Sequence, residues 1–105
     1  MKKLILAALL VATPAYALVQ VGDKIDVSNH IICEYAETME MAIEAYNAEG
    51  EAGALAIWKG SIAMGQCSKA MGGVTVLEVH KRYPGLAIVR TDHANHSYTI
   101  TRDHP

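Results

Sequence analysis

Val74-Thr75-Val76-Leu77-Glu78-Val79, after a turn at Gly72-Gly73, then Leu86-Ala87-Ile88-Val89-Arg90, then Ser97-Tyr98-Thr99-Ile100-Thr101 form the stretch whose reading decides the fold. Each run is rich in β-branched residues, and turn chemistry separates one from the next, so they pair as consecutive antiparallel strands. Tyr83-Pro84-Gly85-Leu86 has proline and glycine where a type II turn needs them, and Asp92 to His96 closes the last hairpin. Inside Val74 to Val79 the apolar phase switches between Val76 and Leu77, which predicts a bulge or a bend with both faces covered. The result is a small curved antiparallel sheet or barrel, entered through Gly65-Gln66-Cys67.

Upstream of the sheet the period changes. Ile32, Tyr35, Ala36, Met39, Ala42, Ile43 and Tyr46 recur at spacings of three and four, which predicts a helix from about His30 to Ala48. Ser28-Asn29 offers it capping side chains, and Asn47 and Gly50 are its terminators. Its opposite face carries Glu34, Glu37, Glu40 and Glu44 with no interleaved base. Such a stripe ordinarily faces solvent; its functional reading is a docking surface for a basic protein. A second, glycine-interrupted helix is expected from about Ala52 to Met64, with Leu55, Trp58 and Ile62 as its apolar stripe. Trp58, the sole tryptophan, belongs at the core edge or serves as a binding anchor. Before the first helix, Val19, Val21, Ile25 and Val27 alternate with polar residues around Gly22-Asp23, which predicts a kinked strand or short hairpin.

The first 17 residues read differently. Lys2-Lys3, the apolar run Leu4 to Ala12 and Ala15-Tyr16-Ala17 have the order of a secretory signal peptide, cleaved after Ala17. The apolar run is about half the ~20 residues a membrane-spanning helix needs. Residues 18–105 then make one exported domain of 88 residues (105 − 17), destined for the periplasm or the medium. Cleavage removes two of nine basic residues and none of eleven acidic ones, so the net charge becomes 7 − 11 = −4. That balance argues against nucleic-acid binding, which requires clustered Lys and Arg. A chain this short has a thin core and commonly needs a staple. Cys33 and Cys67, the only cysteines, supply one in an oxidising compartment, and closing that loop adds about 3–4 kcal/mol on the chain-entropy model.

Taken together, Val21-Gly22-Asp23-Lys24-Ile25, Gly65-Gln66-Cys67 after a helical insertion, and Gly72-Gly73-Val74-Thr75-Val76 before the meander resemble small exported bacterial and phage-associated proteins with an SH3-like barrel. The resemblance implies an α+β fold with a two-helix insertion and brings no activity with it.

Chemistry-bearing residues are sparse. His93 and His96, with Asp92 adjacent, offer imidazoles and a carboxylate to zinc or copper, although a polar turn is the ordinary reading. Met39 and Met41 are two apart and do not share a helix face, so Met39 is assigned to the core and Met41 to its edge. Gly60-Ser61-Ile62-Ala63-Met64-Gly65 lacks the lysine and hydroxyl residue of a phosphate loop, and no serine sits in a nucleophile elbow. No cofactor is implied. The sequence therefore predicts a non-enzymatic exported interaction module whose Glu37, Glu40 and Glu44 engage a basic envelope or cell-wall-active protein. Its alternatives are a metal-binding protein using His93 and His96, and an envelope-associated structural or phage-exclusion protein.

Overall fold

A computed structural model describes residues 18–93 and 96–103. The assigned signal peptide, residues 1–17, lies outside the described residues. Eight elements follow one another: β1 (Lys24–Asp26), β2 (Ile31–Cys33), α1 (Ala36–Glu49), α2 (Glu51–Ala63), β3 (Cys67–Lys69), β4 (Gly73–Tyr83), β5 (Leu86–Thr91) and β6 (Tyr98–Arg102). The strands form one six-stranded antiparallel sheet in the order β1-β4-β5-β6-β2-β3, curled into a half-barrel. This is the expected α+β architecture, with the helical hairpin inserted between β2 and β3.

The meander β4–β5–β6 is the frame. β5 is buried on both faces, as its unbroken apolar run requires: Ile88 points to the helices, while Ala87 and Val89 point into the curl against Val19 and Val76. The phase switch in β4 is real. Its register against β5 shifts between Val76 and Glu78 and again between Val79 and Lys81. These irregularities bend the strand so that its start pairs with β1 and the remainder with β5. Gly85 turns the chain between β4 and β5 at φ 76°, as the proline–glycine pair predicted. Both flanking strands run further than expected, taking in Lys81, Arg82 and Arg102.

The first helix differs from its sequence reading at its N-terminus. Residues 31–33 are strand β2, because Ile32 and Cys33 pair with both β3 and β6, and sheet hydrogen bonds override the three-and-four spacing there. Ile32 turns into the curl with Val27, Ala70 and Val74, while Cys33 turns to the helix side, an alternation of period two that a short window hides. Ser28 and Asn29 cap no helix. Ser28 instead hydrogen-bonds Asp26 Oδ1 at 2.7 Å and accepts the Gly72 N–H at 3.0 Å, and Asn29 takes φ 67° in the turn into β2. Helix α1 begins after Tyr35, which provides no side-chain cap, so Glu34 precedes the helix and drops out of the acidic stripe. Among the described residues before β2, 24–26 alone form a strand, following a turn at Gly22 (φ 95°).

Helix α1 lies on the sheet through Met39 and Ile43, which pack with Cys33, Cys67 and Ile88. Gly50 (φ 74°) ends it and starts α2. The tightness of this hairpin is visible at Gly53, where an added Cβ would lie 2.5 Å from the Ala45 carbonyl oxygen. Helix α2 corrects the predicted stripe: Leu55 and Ile62 remain 49% and 44% exposed, and only Trp58 of the three reaches the core. Gly53 and Ser61 are its buried residues, so apart from Trp58 helix α2 packs through small side chains. The Cys33–Cys67 disulfide closes the base of the insertion, joining register partners on β2 and β3.

A polar clasp joins both ends of the domain. Asp103 Oδ1 accepts the Val19 N–H at 3.0 Å and pairs with the Arg82 guanidinium, which also donates to the Val19 carbonyl at 3.2 Å.

Candidate functional site

Register places Leu86 beside Arg102 and Ile88 beside Ile100 on the helix-facing side of the sheet. Met39 and Ile43 cover Ile88. Beyond that contact the helices and the sheet diverge, leaving a cleft of about 350 Å³. Ala42, Ile43, Tyr46 and Asn47 of α1 form one wall, and Ala54 and Trp58 of α2 another. Leu86, Ile100 and Arg102 form the floor. Trp58 is half-buried at the edge of the core, as one of its two readings expected, and it also lines this cleft. The cleft itself was not legible, since it depends on strand register and on the tilt of a hairpin. Tyr46 shares the apolar face of the helix, as its spacing predicts, yet it is 57% exposed at the cleft.

On the outer side of α1, Glu37 and Glu44 are exposed, with Met41 (48% exposed) between them. Glu40 is half-buried and turned toward β4, where its Oε2 lies 3.7 Å from Lys81 Nζ. Of the acidic face, Glu37 and Glu44 form no ion pair among the described residues, and Glu40 is partnered by the sheet.

At the other end of the helix-facing side, register pairs Glu78 with Arg90 and Arg90 with Tyr98. Glu78 uses one oxygen for His80 Nε2 and the other for Arg90, each at 2.7 Å. These two bonds, His80 first, hold the Glu78 carboxyl below the usual range, and the His80 ring stands edge-on to Tyr98 at 4.9 Å. Sequence reasoning missed this network. Its only signal was Glu78-Val79-His80, a same-face pair on a strand, and the bulge made that inference unsafe. Asp26 is likewise held low by its Ser28 hydrogen bonds.

His93 is half-buried and its Nδ1 has no hydrogen-bond partner among the described residues, whereas His96 is exposed with φ 55°. Asp92, their neighbour, is engaged by the Thr75 N–H at 2.9 Å. Among the described residues no three His, Cys, Asp or Glu side chains gather as a metal site, and no helix is long and apolar enough to cross a membrane. Comparison with family models, with curated proteins and with solved structures gives no match to this chain.

Proposed function

We propose that this domain is a non-enzymatic interaction module of the cell envelope, exported by its N-terminal segment, which binds a basic protein through the outer face of α1. The observation that carries the reading is the exposed triplet Glu37, Met41 and Glu44: two carboxylates one heptad apart flank an apolar side chain, on a helix without Lys or Arg. Opposed basic side chains would find unpaired charge and an apolar contact on one surface, which favours both steering and docking. A basic cell-wall-degrading enzyme is the partner class that fits, and masking its cationic face would inhibit it. The disulfide and the absence of a membrane-spanning helix among the described residues are compatible with export.

The test is clearing of a cell-wall suspension by a basic muramidase with the domain present. Inhibition that weakens as salt rises, and that is lost in Glu37→Lys plus Glu44→Lys, supports the proposal. Inhibition unchanged by charge reversal rejects the surface, and no inhibition rejects the partner class.

The unpartnered Nδ1 of His93 favours one second reading, a zinc or copper site shared with His96. Calorimetric titration of each metal into the wild type and His93→Ala plus His96→Ala decides it; equal affinities remove the site.

A further inference from the structure

The cleft beneath the helical hairpin lies on the opposite side of α1 from the acidic face and is chemically its reverse. Its walls are apolar and aromatic, and Asn47 and Arg102 alone bring hydrogen-bonding side-chain groups other than the Tyr46 hydroxyl and Trp58 indole. Its volume, about 350 Å³, falls in the range of small-molecule sites, which combine apolar walls with a few polar groups. Arg102 differs from the other Lys and Arg side chains of the β4–β6 meander. Arg82 is paired with Asp103, Arg90 with Glu78 and Lys81 with Glu40, whereas Arg102 forms no ion pair among the described residues and no carboxylate lines the cleft.

We infer that the cleft binds a monomeric anionic amphiphile, an alkyl carboxylate whose chain lies between Ile43, Trp58 and Ile100 and whose head group meets the Arg102 guanidinium. An apolar chain is recognised by area removed from water, and a carboxylate by the fork of guanidinium donors. The charge of the cleft selects against a cationic head, and its size selects for one chain over a bilayer surface. This site is independent of the partner surface proposed above.

Dodecanoate, below its micellar concentration, is titrated calorimetrically into the purified disulfide-bonded protein, with dodecyltrimethylammonium as the chain-matched cation. Trp58 emission, the only tryptophan signal, is followed in parallel. Saturable binding of dodecanoate and markedly weaker binding of the cation are expected. Arg102→Gln weakens dodecanoate binding about fivefold, the scale of one solvent-exposed charge contact, and strengthens binding of the cation. Ala54→Phe fills the cleft and abolishes both, with an unaltered circular-dichroism spectrum. Glu37→Lys plus Glu44→Lys leaves dodecanoate binding intact.

Equal affinity for the two amphiphiles, or full binding by folded Ala54→Phe, overturns the proposal. So does association with phosphatidylglycerol vesicles without binding of monomeric dodecanoate. A dimer that Ala54→Phe converts to monomer would show that the cleft is filled by a second copy, which also overturns it.

Discussion

Asp103 binds three parts of the chain with one carboxylate: the Val19 backbone, the end of β4 through Arg82, and its own position after β6. Its side chain is only 10% exposed, although the Arg82 end of the pair is open to solvent. Asp103→Ala removes the acceptor and leaves the Arg82 guanidinium with one carbonyl, and the expected loss is about 2 kcal/mol in urea denaturation. Glu78 lies at the exposed end of the helix-facing side and acts through pH. Its folded-state carboxyl is held below the ordinary value of 4.5, so the folded protein binds fewer protons there than the unfolded chain. The resulting stabilisation is present above that ordinary value and is lost as pH falls through the lowered one. Asp26, held below 3.8, contributes with the same sign. Melting temperatures measured from about pH 6 down to about pH 3 should fall less steeply in Glu78→Gln than in the wild type. At this scale the sequence was partly readable. Met39 is fully buried as its helical phase required, but the partners of Asp103, Glu78 and Arg102 depend on register, which no local pattern encodes.

Among the elements, the strands were legible because alternation, β-branching and Pro84-Gly85 agree with one another; the helices were less so because the tertiary fold arbitrates between patterns. Ile31-Ile32-Cys33 fits a helical stripe as well as a strand, and only its pairing with β3 and β6 decides. In α2 the large apolar residues suggested the buried face, yet of Leu55, Trp58 and Ile62 only Trp58 reaches the core, and α1 is approached closely at Gly53. Two glycines of that helix should therefore answer oppositely to the same change. Gly53→Ala drives a methyl group into the Ala45 carbonyl and is expected to cost about 1–3 kcal/mol. Gly60 has nothing within 4 Å of an added Cβ, so Gly60→Ala gains helix propensity and should stabilise by up to about 1 kcal/mol. Thermal denaturation of the two variants beside the wild type checks both signs, and equal effects would mean that α2 does not sit this close to α1.

Across the whole molecule, the disulfide holds together two regions of unequal support. β4, β5 and β6 are paired along their length, while β3 is a three-residue edge strand bonded to β2 alone, and the helical hairpin depends from the β2–β3 gate. Cys33 and Cys67 face one another across that gate with Cα atoms 4.1 Å apart, at a sequence separation of 34 that encloses both helices. The need for a staple was legible in the short chain and its expected signal peptide, but what it staples was not, because Cys33 falls within the helix that the spacing predicts. Replacing both cysteines with alanine frees a loop of this size in the unfolded chain and should destabilise by about 3–4 kcal/mol. In a domain this small that corresponds to roughly 15–25 °C of melting temperature. The loss should not be uniform in the native state. Amide exchange is expected to accelerate most in β3 and α2, the elements farthest from the paired core, and least in β5, which is buried on both faces. Uniform acceleration would show that the sheet and the hairpin open as one unit. Preferential opening of the hairpin would show that the disulfide preserves the arrangement of α1, α2 and the sheet that forms the cleft, while β4–β6 can hold their fold without it.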